Sequence, residues 1–171
     1  MSNQQPLNSS NPSNPSTTTP PDHPTTTTPL NQNDSSQTKS GLYTLGLATR
    51  TSVLGPTHVT SSLASANAFT LPMQETITEW AWGDIWNRPG LDRKQRSLLN
   101  LGILIALGRQ HELGMHVRGA IRNGLSELEI REAVMHSLVY VGAPAAMEGT
   151  RTVDNVLGEM EGEGEIVRGI K

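Results

Sequence analysis

"DRKQRSLLNLGILIALGRQHELGMHVRGAIRNG" (residues 92–124) decides the fold. Asp92 has the side chain of a helix N-cap, and the segment after it reads as a helix up to Gly108. The second half of that helix, Leu101–Leu107, is apolar nearly all round, which predicts burial on most sides or sealing by another subunit. Gly108 is placed to break it. A second helix is expected over about 110–122, stopped by Asn123-Gly124.

The flanks read in the same way. Upstream, "SSLASANAF" (61–69) predicts a short helix, and Pro72 can open a longer one reaching Trp86. "NRPG" (87–90) is a turn. Downstream, "SELE" (126–129) is a capping box, with Ser126 as cap and Glu129 reaching back, and its helix runs to about Tyr140. "GAPAA" (142–146) turns the chain, with Pro144 at the start of a last helix that ends near Met160. "EGEGE" (161–165) looks like a frayed acidic tail, so residues 161–171 are expected to be flexible. No segment alternates with the period of two that marks a strand. The expected fold is an all-α antiparallel helical bundle over residues 42–160.

Residues 1–41 differ. They are dominated by Thr, Pro, Ser and Asn, and such a segment cannot bury enough apolar area to offset its ordering entropy; it is expected to be disordered. The 171 residues suit one domain with a real core. With 13 basic and 16 acidic residues and no basic block, nothing suggests a nucleic-acid partner. The longest apolar run is far shorter than the roughly 20 residues of a membrane span. No basic-then-apolar leader opens the chain, so an intracellular, cytoplasmic protein is expected. There is no cysteine, which excludes disulfides, thiolate ligands and thiol redox chemistry.

The chemistry-bearing residues cluster after Gly108. "HELGMH" (111–116) looks like a zincin motif with the wrong spacing. His111 and His116 are five apart and point roughly 140° from each other on a helix, whereas a helical chelate needs histidines four apart. Glu112 and His116 are four apart and share a face. A carboxylate stacked on an imidazole orients the ring and raises its pKa, as an acid–base pair requires. The same spacing also describes an ordinary helix-surface pair worth a few tenths of a kcal/mol, about 0.2–0.5. Arg109 joins that face if the helix includes it. His111 and Arg118 fall elsewhere and read as solvent or interface residues.

Trp82 and Trp86 share a face that either packs the core or walls a pocket. Among Arg88, Arg93 and Arg96, Arg96 sits at the edge of the apolar face and is the candidate to hold a carboxylate by a two-pronged hydrogen bond. Ser97 and Asn100 are polar exceptions near the start of that helix; they either line a cavity or bond backbone. His136 and Tyr140 share a face of the next helix and read as core or interface.

The stretch 82–124, together with "EIREAVMHSLVYVGAPAA" (129–146) and the looser "VLGPTHVTSSL" (53–63), resembles the 4-carboxymuconolactone decarboxylase family. The resemblance runs from about Leu42 to Met160. It implies the helical fold of the alkylhydroperoxidase D superfamily, a homo-oligomer built as a trimer or hexamer, and a cofactor-free decarboxylation of 4-carboxymuconolactone to 3-oxoadipate enol-lactone in aromatic-acid breakdown. Peroxidase members of that superfamily carry a CxxC pair and a histidine four residues later. Those positions fall here on Arg109, Glu112 and His116, and the upstream glutamate falls on Ser97, so the peroxidase route is closed. The site this resemblance implies is His116 as proton donor, oriented by Glu112, with Arg109 facing the developing oxyanion. Arg96, Ser97 and Trp86 would bind a small carboxylate substrate. Two other readings stand beside it: an enzyme of the same fold acting on another carbonyl or lactone, and a non-catalytic oligomeric binding protein.

Overall fold

The computed structural model describes residues 40–170. The tail expected to be disordered lies outside these residues up to position 39, and Ser40 already caps the first helix, its Oγ accepting from the Tyr43 amide. The order is α1 (Gly41–Leu54), α2 (Pro56–Ala64), α3 (Leu71–Thr76), α4 (Arg93–Ala106), α5 (Gln110–Arg122), α6 (Glu127–Val141) and α7 (Ala143–Gly162). Between α3 and α4 the chain winds through a π-helical stretch, Ile77–Asp84, and one 3-10 turn, Ile85–Asn87. No strand occurs among the described residues.

Local chemistry explains most boundaries. Asp92 and Gln95 form a reciprocal capping box at α4, and Ser126 and Glu129 form another at α6. Gly108, at φ +64°, makes the break between α4 and α5 that an L side chain would adopt only with strain. Two expectations are corrected. The helix foreseen over 61–69 starts earlier, at Pro56 after a positive-φ Gly55, and stops at Ala64. The long helix foreseen to Trp86 is α-helical only to Thr76 and then widens.

The core is built by α4 to α7. Leu101, Ile105, Leu113, Val117, Ile130 and Leu157 are fully or almost fully buried there. The helix α1 packs on α5 and on the π-helical stretch. Its approach to that stretch is backbone to backbone: a Cβ on Gly46 would lie 1.9 Å from the Thr78 carbonyl oxygen, and one on Gly83 2.3 Å from that of Leu42. Asn87 seals the end of the π turn, donating to the carbonyls of Trp82 (2.6 Å) and Gly83 (3.1 Å) while bonding Thr49 of α1. These contacts fix Thr78, Trp82 and Trp86 against α1 and α5.

The segment after α7 is tied down rather than frayed. Arg168 bridges Glu127 (2.7 Å) and Asp154 (2.8 Å), and the amides of Gly169 and Ile170 donate to Glu127. Glu163 and Glu165 pair with Arg118, and Glu165 also with Arg122. The "EGEGE" stretch reads as solvated in sequence because its partners lie about 40 residues away along the chain.

Candidate active site

The helix α5 buries Leu113, Val117 and Ala120, and this face turns the neighbouring His116 ring inward. There the ring meets two indoles. Its centroid is 6.1 Å from that of Trp82 and 6.2 Å from that of Trp86, with planes 9° and 16° from parallel. The indoles stack on each other at 4.8 Å. From α4, the Asn100 Nδ2 lies 3.0 Å from His116 Nδ1. An amide N–H donating there makes Nδ1 the acceptor and leaves the ring proton on Nε2. Burial pushes the His116 pKa from 6.5 down to about 4; the Glu112 charge opposes this and His58 reinforces it. The imidazole is therefore neutral near pH 7, with its polar edge fixed.

The other residues singled out in the sequence are placed as follows. Trp86 is in the stack. Glu112 is exposed and reaches the ring through charge, without a hydrogen bond to it. Arg109 is the residue before α5, with non-helical backbone (φ −90°, ψ 72°) and an exposed side chain that makes no ion pair among the described residues. Arg96 donates from Nη2 to the Arg88 carbonyl at 2.6 Å and keeps a buried Nε without a partner. Ser97 is buried and accepts from Asn123 Nδ2 at 2.9 Å, so it fastens α4 to the end of α5. His136 and Tyr140 are exposed on α6, with ring centroids 5.2 Å apart.

Three residues escape the sequence reading. Asn100 is visible there as a polar exception but not as the partner of His116. His58 is pushed below its usual pKa by burial, then by the charges of Arg50, His111 and Arg122. Arg50 is the third. Only 5% exposed, it donates from Nη1 to Thr78 Oγ1 (3.0 Å) and from Nη2 to Gln74 Oε1 (2.8 Å) and Ser62 Oγ (3.3 Å). Its signal in the sequence is isolation: it is the sole Asp, Glu, Lys or Arg between Ser40 and Gln74.

The profile of the carboxymuconolactone decarboxylase family matches residues 72–154, the span that holds His116, Asn100 and both stacked indoles. A nitrosuccinic acid decarboxylase of Metarhizium robertsii is 51% identical over 127 residues, covering 74% of this chain and 89% of that protein. The chain belongs to the carboxymuconolactone decarboxylase family. A 4-carboxymuconolactone decarboxylase of Acinetobacter baylyi is 41% identical over 118 residues, covering 69% of this chain and 88% of that one. A third relative, an uncharacterized 15.0 kDa protein of Paracoccus denitrificans, is 32% identical over 89 residues, 51% of this chain and 66% of its own length. Like the family, the described residues are all-helical, and none of their helices is long and apolar enough to cross a membrane.

Proposed function

We propose that the chain is a decarboxylase that needs no cofactor and acts on 4-carboxymuconolactone or a similar unsaturated lactone acid. The observation that carries this reading is the His116 ring: neutral, stacked beside two indoles, and fixed by Asn100 with its proton on Nε2. Decarboxylation breaks a carbon–carbon bond, releases carbon dioxide, and leaves an electron pair. In such a lactone the pair spreads through the double bond to the carbonyl oxygen, so the electron sink is part of the substrate. One proton must then reach carbon.

His116 suits that step. An anionic acid arriving beside a desolvated neutral imidazole favours its protonated form. The ring takes up a proton with the substrate, gives it to carbon, and ends neutral. Glu112 supports the charged ring through space, and Arg109, free of ion pairs among the described residues, is the proposed donor to the developing oxyanion. Arg96, with its unpartnered Nε, and Trp86 are the proposed substrate contacts, and Ser97 holds the helices that carry them. The dry indole wall favours passage from a charged carboxylate to a neutral gas.

A second substrate has a specific observation in its favour. The relative that shares 51% of its residues over the matched region is named for nitrosuccinic acid, in which a nitro group serves as the electron sink for the same bond cleavage. Carbon dioxide release from each acid, with ultraviolet absorbance for the lactone, decides between them. His116→Ala is expected to lower turnover at least ~100-fold with the helical signal unchanged. Wild-type turnover in that variant removes the assignment.

The proposal includes a homo-oligomer. A groove of about 900 Å³ between α4 and α6 is lined by Leu99, Ile103, Leu128 and Tyr140, all substantially exposed, and Val139 is 79% exposed. A contiguous apolar surface of this kind suits a second copy of the chain.

A further inference from the structure

Arg50 is a buried cation without a buried anion. Its Nη groups are held by a threonine hydroxyl, a serine hydroxyl and a glutamine carbonyl, all neutral, and its Nε is buried with no partner. No carboxylate among the described residues pairs with it. Taking a guanidinium out of water costs several kcal/mol unless an anion repays it, so buried charges are ordinarily paired. Here the protein supplies three dipoles that orient the group and no countercharge. Burial lowers the Arg50 pKa, and only the Tyr43 phenol opposes this through charge; His58 lies close enough for the arginine to disfavour its protonation.

The position ties this cation to the candidate active site. Thr78, which accepts from Arg50, stands four residues before Trp82 on the π-helical stretch, one turn from the indole on which His116 stacks. His58 feels Arg50 and is in turn felt by His116. Charge coupling therefore runs from Arg50 on α1 through His58 on α2 to His116 on α5, and the one carboxylate acting along it, Glu112, sits at the His116 end.

We propose that Arg50 binds the carboxylate of the substrate that is retained in the product. This rests on the decarboxylase reading above. The argument for the retained carboxylate is energetic. A cation clamped to the departing carboxylate would stabilise the charged ground state more than the transition state, in which that charge is leaving, and would slow the reaction. A cation on the second carboxylate binds both states equally. It places the scissile bond at His116 without taxing the chemical step. Arg50 sits on a different helix from the ring and is joined to it through Thr78 and Trp82, as suits a group gripping the far end of the substrate. The clamp thus acts on affinity and on choice of substrate, and Arg50 is a specificity-determining residue.

The test joins a binding arm to a kinetic arm. The side-chain Nε–H resonance of Arg50, identified by its absence in Arg50→Lys, is followed in the wild-type protein as succinate or butyrate is added. Succinate is expected to shift it saturably, and butyrate, of the same length with one carboxylate, is expected to bind at least ~30-fold more weakly. In the kinetic arm, Arg50→Gln and Arg50→Lys act on a diacid that the wild-type protein decarboxylates and on that diacid's monoester at the retained carboxyl. KM for the diacid is expected to rise at least ~30-fold in Arg50→Gln and less in Arg50→Lys, kcat to change little, and the preference for diacid over monoester to vanish. A purely structural arginine would instead lower the folded fraction and leave that preference intact. An Nε–H resonance indifferent to succinate, or an unchanged preference in folded Arg50→Gln, overturns the clamp. Carbon dioxide release with an unmoved resonance sinks the clamp and leaves the decarboxylase standing. A succinate-shifted resonance in a protein that decarboxylates no diacid keeps the anion site and sinks the reaction.

Discussion

At the scale of single residues, the polar edge of His116 is governed by Asn100 more than by its helical neighbour Glu112. Replacing Asn100 with Asp puts a carboxylate at 3.0 Å from Nδ1. This is expected to raise the ring's pKa by roughly 1–3 pH units from about 4, measured by the pH dependence of its imidazole resonances. The depressed pKa also has a stability sign. The unfolded chain takes up its proton near 6.5 and the folded one near 4, so His116 contributes fully above pH 6.5, and its contribution fades as pH falls toward 4. Wild type should lose roughly 3 kcal/mol over that window that His116→Gln does not lose, as read by urea unfolding at the two ends. The sequence shows Glu112 and His116 as a pair because four residues on one helix is a local fact. Asn100 is 16 residues away on another helix, and nothing local reveals that meeting. Arg50 is harder still, since its partners come from α2, α3 and the π-helical stretch; only its solitude among uncharged residues is legible.

At the scale of elements, the π-helical stretch is where sequence reasoning loses the thread. Pro72 and the apolar spacing announce a helix correctly, but its width is set from outside. Gly46 and Gly83 let α1 lie directly on it, and Asn87 satisfies the carbonyls left over at its end. π geometry is rare and concentrates at functional places, which fits a stretch that presents Thr78 and Trp82 in succession. Gly46→Ala forces a methyl to within 1.9 Å of the Thr78 oxygen and is expected to cost more than ~3 kcal/mol, or to prevent folding. Gly158→Ala, in α7 with nothing within 4 Å of the new methyl, should stabilise by up to ~1 kcal/mol. Thermal melts of the two variants check both directions. By contrast, the Asp92 cap, the Ser126–Glu129 capping box, the Gly108 break and the Asn123-Gly124 stop were readable, because each depends on residues within one turn.

At the scale of the molecule, the C-terminal strap and the apolar α4–α6 groove are the features with reach. Burial alone would raise the Glu127 carboxyl, yet donors from Ile170, Arg168 and Gly169 outweigh it and hold its pKa below the ordinary carboxylate value. Glu127→Gln should therefore destabilise the chain by roughly 1–3 kcal/mol and free residues 163–170 for hydrogen exchange. Leu99→Glu with Val139→Glu should reduce self-association by light scattering while leaving the helical signal intact. The strap was invisible in the sequence because an acidic, glycine-rich ending matches solvent equally well. The three tryptophans give the whole chain an optical signature. Trp80, 64% exposed, emits as a solvated background. Trp82 and Trp86 share electronic contact with the imidazole, and a protonated imidazole quenches a neighbouring indole. On the proposed mechanism, intrinsic emission is expected to dim as an acid docks and to recover as carbon dioxide departs, a change that stopped-flow fluorescence of the unmodified protein checks.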